Sequence, residues 1–308
     1  MLEPAVVVLR LMQYAGAMIL MGSSLFFLYA LPRTGPTAAA EMRWARKLLA
    51  SAAGLLAAGA ALGLAAQTSV MAGSVSEGLK LESLSAVATG MPLGKAALVR
   101  VASAALALLA LLLLRPGRTS WAIAAGLGIV ATASFPWMGH AAATEGPAAS
   151  IHLISDVAHS LAAAVWIGAL VAFFGLLRAR PSSAEARQTL HRALRGFAGV
   201  GTALVAVLVA TGLVNSWFLV GPANVEGLWT TAYGRLLALK ILLFGGMLAL
   251  AAANRFRLTP SLGAALGPAG DPAPALAALR RSVMIETAMG FAVLGLVAWF
   301  GTLASPAA

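Results

Sequence analysis

Eight long apolar stretches constrain this chain more than any other feature of its sequence. A helix needs about 20 apolar residues to cross the hydrocarbon core of a bilayer, and only helices or closed barrels satisfy their backbone polar groups there. The sequence therefore predicts an all-α, polytopic membrane protein, a bundle of eight transmembrane helices. The predicted spans are residues 5–31, 48–70, 93–114, 119–138, 151–177, 197–220, 234–254 and 282–303.

The composition is typical of a chain immersed in a lipid bilayer. Hydrophobic residues make up 60% of the 308 residues and charged residues 10%, whereas a soluble domain usually carries about 25% charged residues. The net charge of +11 does not predict a nucleic-acid partner, because the basic residues stand in short loops between apolar spans. The chain has no cysteine, which excludes disulfides and thiolate metal ligands.

The distribution of positive charge predicts the orientation. The first, third, fifth and seventh connections hold four, two, five and four basic residues, 15 of the 21. We therefore expect these connections in the cytoplasm and both termini on the periplasmic side of the inner membrane. The first apolar run is too long for a signal-peptide core, so we expect it to be a retained span. We divide the chain into an N-terminal four-helix half, 1–145, and a C-terminal four-helix domain, 146–308, without a soluble domain.

The main functional signal lies between residues 138 and 166, where three of the four histidines stand in apolar surroundings. His152, Asp156 and His159 are four and three residues apart, and Ala163 and Trp166 continue the same spacing. At about 100° per residue, such positions keep to one face of a helix. The sequence thus predicts a polar stripe on the fifth span, because ionisable side chains inside a bundle usually face a cavity and a partner.

The stripe has a metal-binding interpretation and a structural one. Neutral imidazoles are common metal ligands, and Asp156 would orient one of them by a hydrogen bond and balance positive charge. His152 and His159 lie about 10 Å apart along a helix axis, too far to share one ion directly, so we expect successive binding positions. In the structural interpretation, an Asp–His hydrogen bond only joins helices.

Met138 and His140 end the fourth span, two residues apart, and point the same way if that segment is extended. A thioether with an imidazole suits Cu(I), and imidazole with carboxylate or water suits Cu(II). We therefore place both residues in a candidate copper site together with His152, Asp156 and His159. The alternative is that Met138 and His140 are interfacial loop residues.

Other polar residues inside the spans also have two interpretations. Gln13, Asn215 and Glu286 either line a path or form interhelical hydrogen bonds. Arg100 and Lys240 either extend to the membrane interface or pair with an acid such as Glu286. The residue types alone do not decide between these alternatives.

Several stretches resemble the CopD/PcoD copper-resistance family of bacterial inner-membrane proteins. The resemblance is carried by HSLAAAVWIGAL at 159–170, TAYGRLLALKILLF at 231–244, NRFRLTP at 254–260 and RRSVMIETAMG at 280–290. These stretches belong to the half that resembles the family's defining CopD domain, and the first half fits more loosely. The resemblance implies inward copper movement across the cytoplasmic membrane, often beside a periplasmic CopC-like copper-binding protein.

The resemblance also implies a set of ligands. Histidines and methionines on the outer side are the suspected ligands of the family, and here they correspond to His140, His152, His159 and Met138. Relatives often carry a histidine in the first span near the position of Gln13 in this chain. A site that uses that histidine must be completed differently here.

We expect the protein to accept copper on the periplasmic side and to move it toward the cytoplasm. The sequence has no Gly-rich phosphate loop, HExxH or Gly-x-Ser-x-Gly motif, so we expect no enzyme, and gradients or partners would drive transport. Two alternatives stay open. A membrane redox protein would hold haem, through His140 and His159, or a quinone, and a membrane sensor would bind copper without moving it.

Overall fold

The structure, a computed structural model, describes residues 3–139 and 144–307. Within these ranges it is helical, without strands, and eight helices are long and apolar enough to cross a membrane, which confirms the predicted bundle. In chain order the helices are α1 (Glu3–Tyr29), α2 (Arg43–Met71), α3 (Val75–Gly78), α4 (Leu81–Gly90), α5 (Pro92–Leu113), α6 (Arg118–Ala133), α7 (Ala149–Arg178), α8 (Ala184–Leu219), α9 (Gly227–Thr230), α10 (Ala232–Ala253), α11 (Thr259–Ala265) and α12 (Ala273–Phe300). The short helices α3, α4, α9 and α11 lie in the connections, and the other eight correspond to the predicted spans.

The largest difference from the predicted spans is at α8, which begins at Ala184, whereas the apolar run begins near residue 197. The Ser183 hydroxyl accepts a hydrogen bond from the backbone N–H three residues later (3.1 Å) and caps the helix. The first turns are polar on one side, but Leu190 and Ala193 on the other side are buried in the core. The connection that the sequence predicted as a basic loop is therefore mostly helical.

The central helix of the bundle is α1, which packs against α2, α6, α7 and α12. At its crossing with α7, Gly22 faces Gly168, and a Cβ atom on either glycine would overlap the backbone of the other helix. The Ser23 hydroxyl donates a hydrogen bond to the Gly168 carbonyl (2.8 Å). Small residues here let two membrane helices approach until their backbones touch.

Two helices of the second half stand at the periphery. α8 packs mainly on α7, and α10 packs mainly on α12, while α7 and α12 also contact each other. Few residues of α8 and α10 are buried inside the protein, so most of their surface faces lipid. α10 continues through a π-helical turn, residues Asn254–Leu258, into α11. Such turns are rare and often mark functional positions.

Two parts of the fold prediction stay predictions. The helix contacts do not tell which side of the membrane each terminus faces. They also leave open the division of the chain after residue 145, because α1 contacts α7 and α12 of the second half as well as α2 and α6 of the first. The two halves share one packed core.

We expect Gly168→Ala to destabilise the protein strongly. The added methyl group would overlap the backbone of Gly22, so α1 and α7 would have to separate, and overpacking of this kind costs about 1–3 kcal/mol or more. The measurement is the thermal unfolding of purified protein in detergent. Gly245→Ala is the matched control, since nothing lies within 4 Å of a Cβ atom at that helical glycine. If Gly168→Ala and Gly245→Ala lower the unfolding temperature equally, close packing of α1 and α7 at Gly168 is not important for stability.

Candidate functional site

The predicted stripe of α7 faces the interior of the bundle. His152 is 2% exposed, and His152, Asp156, His159 and Ala163 line one cavity of about 180 Å³. We call this space the histidine cavity. Its other walls come from α1, α8, α10 and α12, including Arg10, Tyr14, Asn215, Ser216, Lys240 and Val297. Three of the five predicted site residues therefore meet in one space.

The hydrogen bonds of His159 determine which of its nitrogens can act as a ligand. The Nδ1 atom lies 2.9 Å from the Thr211 hydroxyl oxygen. When that hydroxyl donates its hydrogen bond to the Val207 carbonyl (2.6 Å), it accepts a hydrogen bond from the Nδ1–H group of His159. The lone pair of the neutral ring is then on Nε2. Sequence reasoning missed Thr211, because it lies 52 residues from His159 and no local pattern joins the two.

His152 is held by a hydrogen bond and by an aromatic ring. Its Nδ1 atom lies 2.7 Å from the Thr144 hydroxyl oxygen. The imidazole stacks on Phe218 of α8, with ring centroids 4.6 Å apart and an angle of 6° between the planes. These contacts fix the plane of the ring, so His152 is a preorganised group at the start of α7.

The predicted role of Asp156 in orienting a histidine stays a prediction. The described hydrogen bond of its carboxylate comes from the Asn215 amide of α8 (3.2 Å). The Asn215 side-chain oxygen is buried and has no hydrogen-bond partner among the described residues, although buried polar atoms are normally paired. Asn215 therefore brings an unsatisfied acceptor oxygen to the wall of the histidine cavity.

The histidine cavity is lined by charged side chains of opposite sign. Asp156 is the one acid among the cavity-lining residues, and Arg10 and Lys240 are its two bases. The Arg10 guanidinium donates to the Gly301 carbonyl (2.5 Å), and the Lys240 ammonium lies 5.8 Å from the centroid of the Phe300 ring. Both bases thus belong to the wall near the end of α12. Of the two alternatives left open for Lys240, pairing with Glu286 is not seen among the described contacts, and the acid that shares a cavity with Lys240 is Asp156.

Met138 lies apart from the described histidines. Its sulfur is 3.3 Å from the Arg100 guanidinium, and it lines a separate cavity of about 40 Å³ that also contains Gln13. The tight turn of residues 135–138 contacts α5 and directs this side chain toward that helix. For Arg100, the sequence left open an acid partner or an extension to the membrane interface. In the structure its guanidinium donates to the Ser134 carbonyl and hydroxyl (both 3.2 Å). His140 lies outside the described residues.

A ready-made cage for a metal ion is not present in the described ranges. Within 3–139 and 144–307, no three His, Asp or Glu side chains come close enough together to hold one ion. The expectation that His152 and His159 act one after the other stays a prediction. Any ion in the histidine cavity would complete its coordination with oxygen atoms, such as that of Asn215, or with water.

A second buried polar cluster lies farther along α7. Glu286 of α12 is 2% exposed, and its two carboxylate oxygens accept hydrogen bonds from the Trp166 indole (3.0 Å) and the Asn254 amide (2.9 Å). The stripe spacing includes Trp166, but nothing in the sequence indicates which residues of other helices meet it. The cluster is therefore a finding of the structure.

Known proteins support a copper-related origin for this architecture. Residues 1–151 match the family model described as "Copper resistance protein D-like, N-terminal domain", and residues 191–300 match "Copper resistance protein D". The chain is 37% identical over 306 residues to "Copper resistance protein D" of Pseudomonas syringae pv. tomato, covering 98% of this chain and 97% of that protein.

Two further relatives match over shorter regions. "Copper transport protein CutJ" of Bacillus subtilis is 30% identical over 171 residues, which cover 54% of this chain and 28% of that protein. "Inner membrane protein YebZ" of Escherichia coli is 32% identical over 126 residues, which cover 41% of each chain. No solved structure matches this chain.

The opposed charges of the histidine cavity should be energetically coupled. Asp156→Asn leaves Lys240 and Arg10 without an acid in the same cavity, so we expect it to lower the free energy of unfolding more than Lys240→Met does. The double variant should recover at least about 1 kcal/mol relative to the sum of the single effects. The measurement is a double-mutant cycle of unfolding in detergent micelles.

The exposed ion pair of Lys80 and Glu77 (2.7 Å) provides the matched control. A cycle of Glu77→Gln and Lys80→Met should give a coupling below about 0.5 kcal/mol, because water screens an exposed pair. Additive effects at Asp156 and Lys240 would show that the two charges do not stabilise each other.

Proposed function

The chain belongs to the copper resistance protein D family, and from this membership we infer that its cargo is copper. We propose that copper ions enter the histidine cavity, bind near His152 and then near His159, and continue toward the cytoplasm. The observation that supports this proposal most is that two histidines and one aspartate line a single cavity within the membrane-spanning bundle. Such groups are costly in lipid and usually serve an ion path.

The ligand chemistry follows from the hydrogen bonds. Thr211 holds the His159 ring so that the Nε2 lone pair is available to copper. Asp156 attracts the cation, whereas Lys240 and Arg10 in the same cavity repel it. A singly charged ion meets half the repulsion of a doubly charged one, so we propose that Cu(I) is the form that occupies the cavity.

The direction and the partner are part of the same proposal. The basic connections predict that the start of α7 faces the periplasm, so copper would enter near His152 and leave on the cytoplasmic side of the inner membrane. A periplasmic CopC-like copper-binding protein would deliver the ion at that mouth. Met138 and His140 remain candidates for its capture there.

The redox alternative gains no support from the described residues. His152 and His159 stand on one helix, about 10 Å apart along its axis, and cannot both bind the iron of one haem. The predicted haem pair needs His140, which lies outside the described residues. A visible spectrum of the purified protein tests this alternative directly, because bound haem gives a strong Soret band.

Copper titration of the purified protein tests the proposed ligands. We expect His159→Ala and His152→Ala each to weaken copper binding at least about tenfold. Thr211→Val keeps the ligand but removes the hydroxyl that fixes its tautomer, and loss of such a support typically lowers metal affinity about 10–100-fold. His191→Ala is the control, since this fourth histidine contacts α11 and lies outside the cavity.

Copper uptake into proteoliposomes separates a transporter from a sensor. The wild-type protein should move copper across the vesicle membrane, and His159→Ala should reduce the rate. If the His152→Ala and His159→Ala variants both bind copper with full affinity, the proposed site is wrong. If the wild-type protein binds copper but does not take it up into vesicles, the result favours a copper sensor.

A further inference from the structure

Glu286 is a buried carboxylate that the proposed function does not yet use. Both of its oxygens accept hydrogen bonds from N–H donors, the Trp166 indole and the Asn254 amide. Donors on both oxygens stabilise the charged carboxylate, because a protonated carboxyl group would need to donate through one of them. In the described ranges the one ion pair is Lys80 with Glu77, so Glu286 is not neutralised by a direct contact with a base.

The carboxylate opens into a cavity of about 240 Å³ between α7, α8, α12 and the π-helical turn. The side-chain oxygen of Asn254 is buried and has no hydrogen-bond partner in the described part of the chain, and Asn254 lines the same cavity. Arg255 also lines the cavity, but its guanidinium donates to the Thr202 hydroxyl and the Ala198 carbonyl. Glu286 and Asn254 thus bring a carboxylate and an unsatisfied acceptor oxygen to the wall of this cavity, and both groups attract cations.

A third cavity lies between this cavity and the histidine cavity and shares lining residues with both. The middle cavity has a volume of about 250 Å³ and is mostly apolar. It shares His159 and Lys240 with the histidine cavity and Trp166 with the Glu286 cavity. Along α7, the 14 residues from His152 to Trp166 correspond to about 21 Å, much of the thickness of the hydrocarbon core.

The row of cavities continues toward the basic end of the bundle. Arg255 and Thr259 line both the Glu286 cavity and an open cavity of about 590 Å³ that also contains His191 and Arg195. The connection that holds His191 and Arg195 is one of those predicted to be cytoplasmic. The Glu286 cavity therefore lies between the middle cavity and the opening on the side opposite His152.

We propose that Glu286 and Asn254 form a second, weaker cation site, through which copper leaves the histidine cavity. This inference rests on the proposed function for the identity of the ion. Carboxylate and amide oxygens are harder ligands than imidazole, so we expect this site to bind copper less tightly than the histidines do. Passage through the protein also requires an exit site weak enough to release its ion. Three of the stretches that carry the family resemblance, 159–170, 254–260 and 280–290, each contribute one side chain to the site.

Equilibrium titration tests the site directly. Purified wild-type protein is titrated with copper(II), and with copper(I) kept reduced by ascorbate. We expect two classes of binding, and Glu286→Gln should abolish the weaker class and keep the tighter one. His159→Ala should do the reverse, so failure of the histidine site and failure of the Glu286 site are distinguishable. Glu226→Gln is the control for loss of one negative charge, because Glu226 is exposed on the surface.

Uptake into proteoliposomes separates a role in passage from a role in packing. We expect Glu286→Gln to slow copper uptake at least about tenfold, while Glu286→Asp, which keeps the charge, retains more activity than Glu286→Gln. A purely structural role predicts the opposite order, because Gln keeps the size of the side chain and can still accept from Trp166. The reversed order, unchanged uptake by Glu286→Gln, or a wild-type protein without the weaker class of binding would overturn the proposal.

Discussion

The contact between the backbones of α1 and α7 determines where the polar groups of this membrane bundle lie. Gly22 and Gly168 allow the two helices to touch, and the Ser23 hydroxyl bonds across the contact. Gly168 is nine residues from His159, which is about 180° around a helix. Fixing that face of α7 against α1 directs the opposite face, with its imidazoles and carboxylate, into the cavity lined by α8, α10, α12 and the N-terminal part of α1. A different rotation of α7 would expose those groups to lipid, where they are most costly.

The two polar sites on α7 depend on different kinds of support. Around His159 and Asp156, the supporting groups come from α8, which donates the Asn215 amide and accepts from His159 through Thr211. Around Glu286, support comes from α7 and from the π-helical turn that follows α10. Both peripheral helices line both cavities, but α8 supplies the hydrogen bonds around the histidine cavity, and the turn after α10 supplies one to Glu286.

The sequence was sufficient for features that depend on one helix at a time. The eight spans followed from the length of apolar runs, and the position of His159 on the cavity face followed from residue spacing. The contacts between different helices could not be predicted from the sequence. Met138 is turned toward α5 by a tight turn, Arg100 bonds to Ser134 and not to an acid, and Thr211 meets His159 from another helix. Neither hydrophobicity nor spacing tells which helices are neighbours, so these partners needed coordinates.

The apolar middle cavity has a consequence for ion selectivity. Between His159 and Trp166 its wall is formed mainly by aliphatic and aromatic side chains, and the soft thioether of Met247 is among them. A cation that crosses this stretch has to leave its hydration shell, and the Born cost of doing so is on the order of tens of kcal/mol for a hard ion. Thioether sulfur is a good substitute for water around Cu(I) but not around Na⁺ or Mg²⁺. If copper follows the proposed route, this stretch would select against hard cations by the cost of dehydration, and the Lys240 ammonium in its wall would add to the barrier.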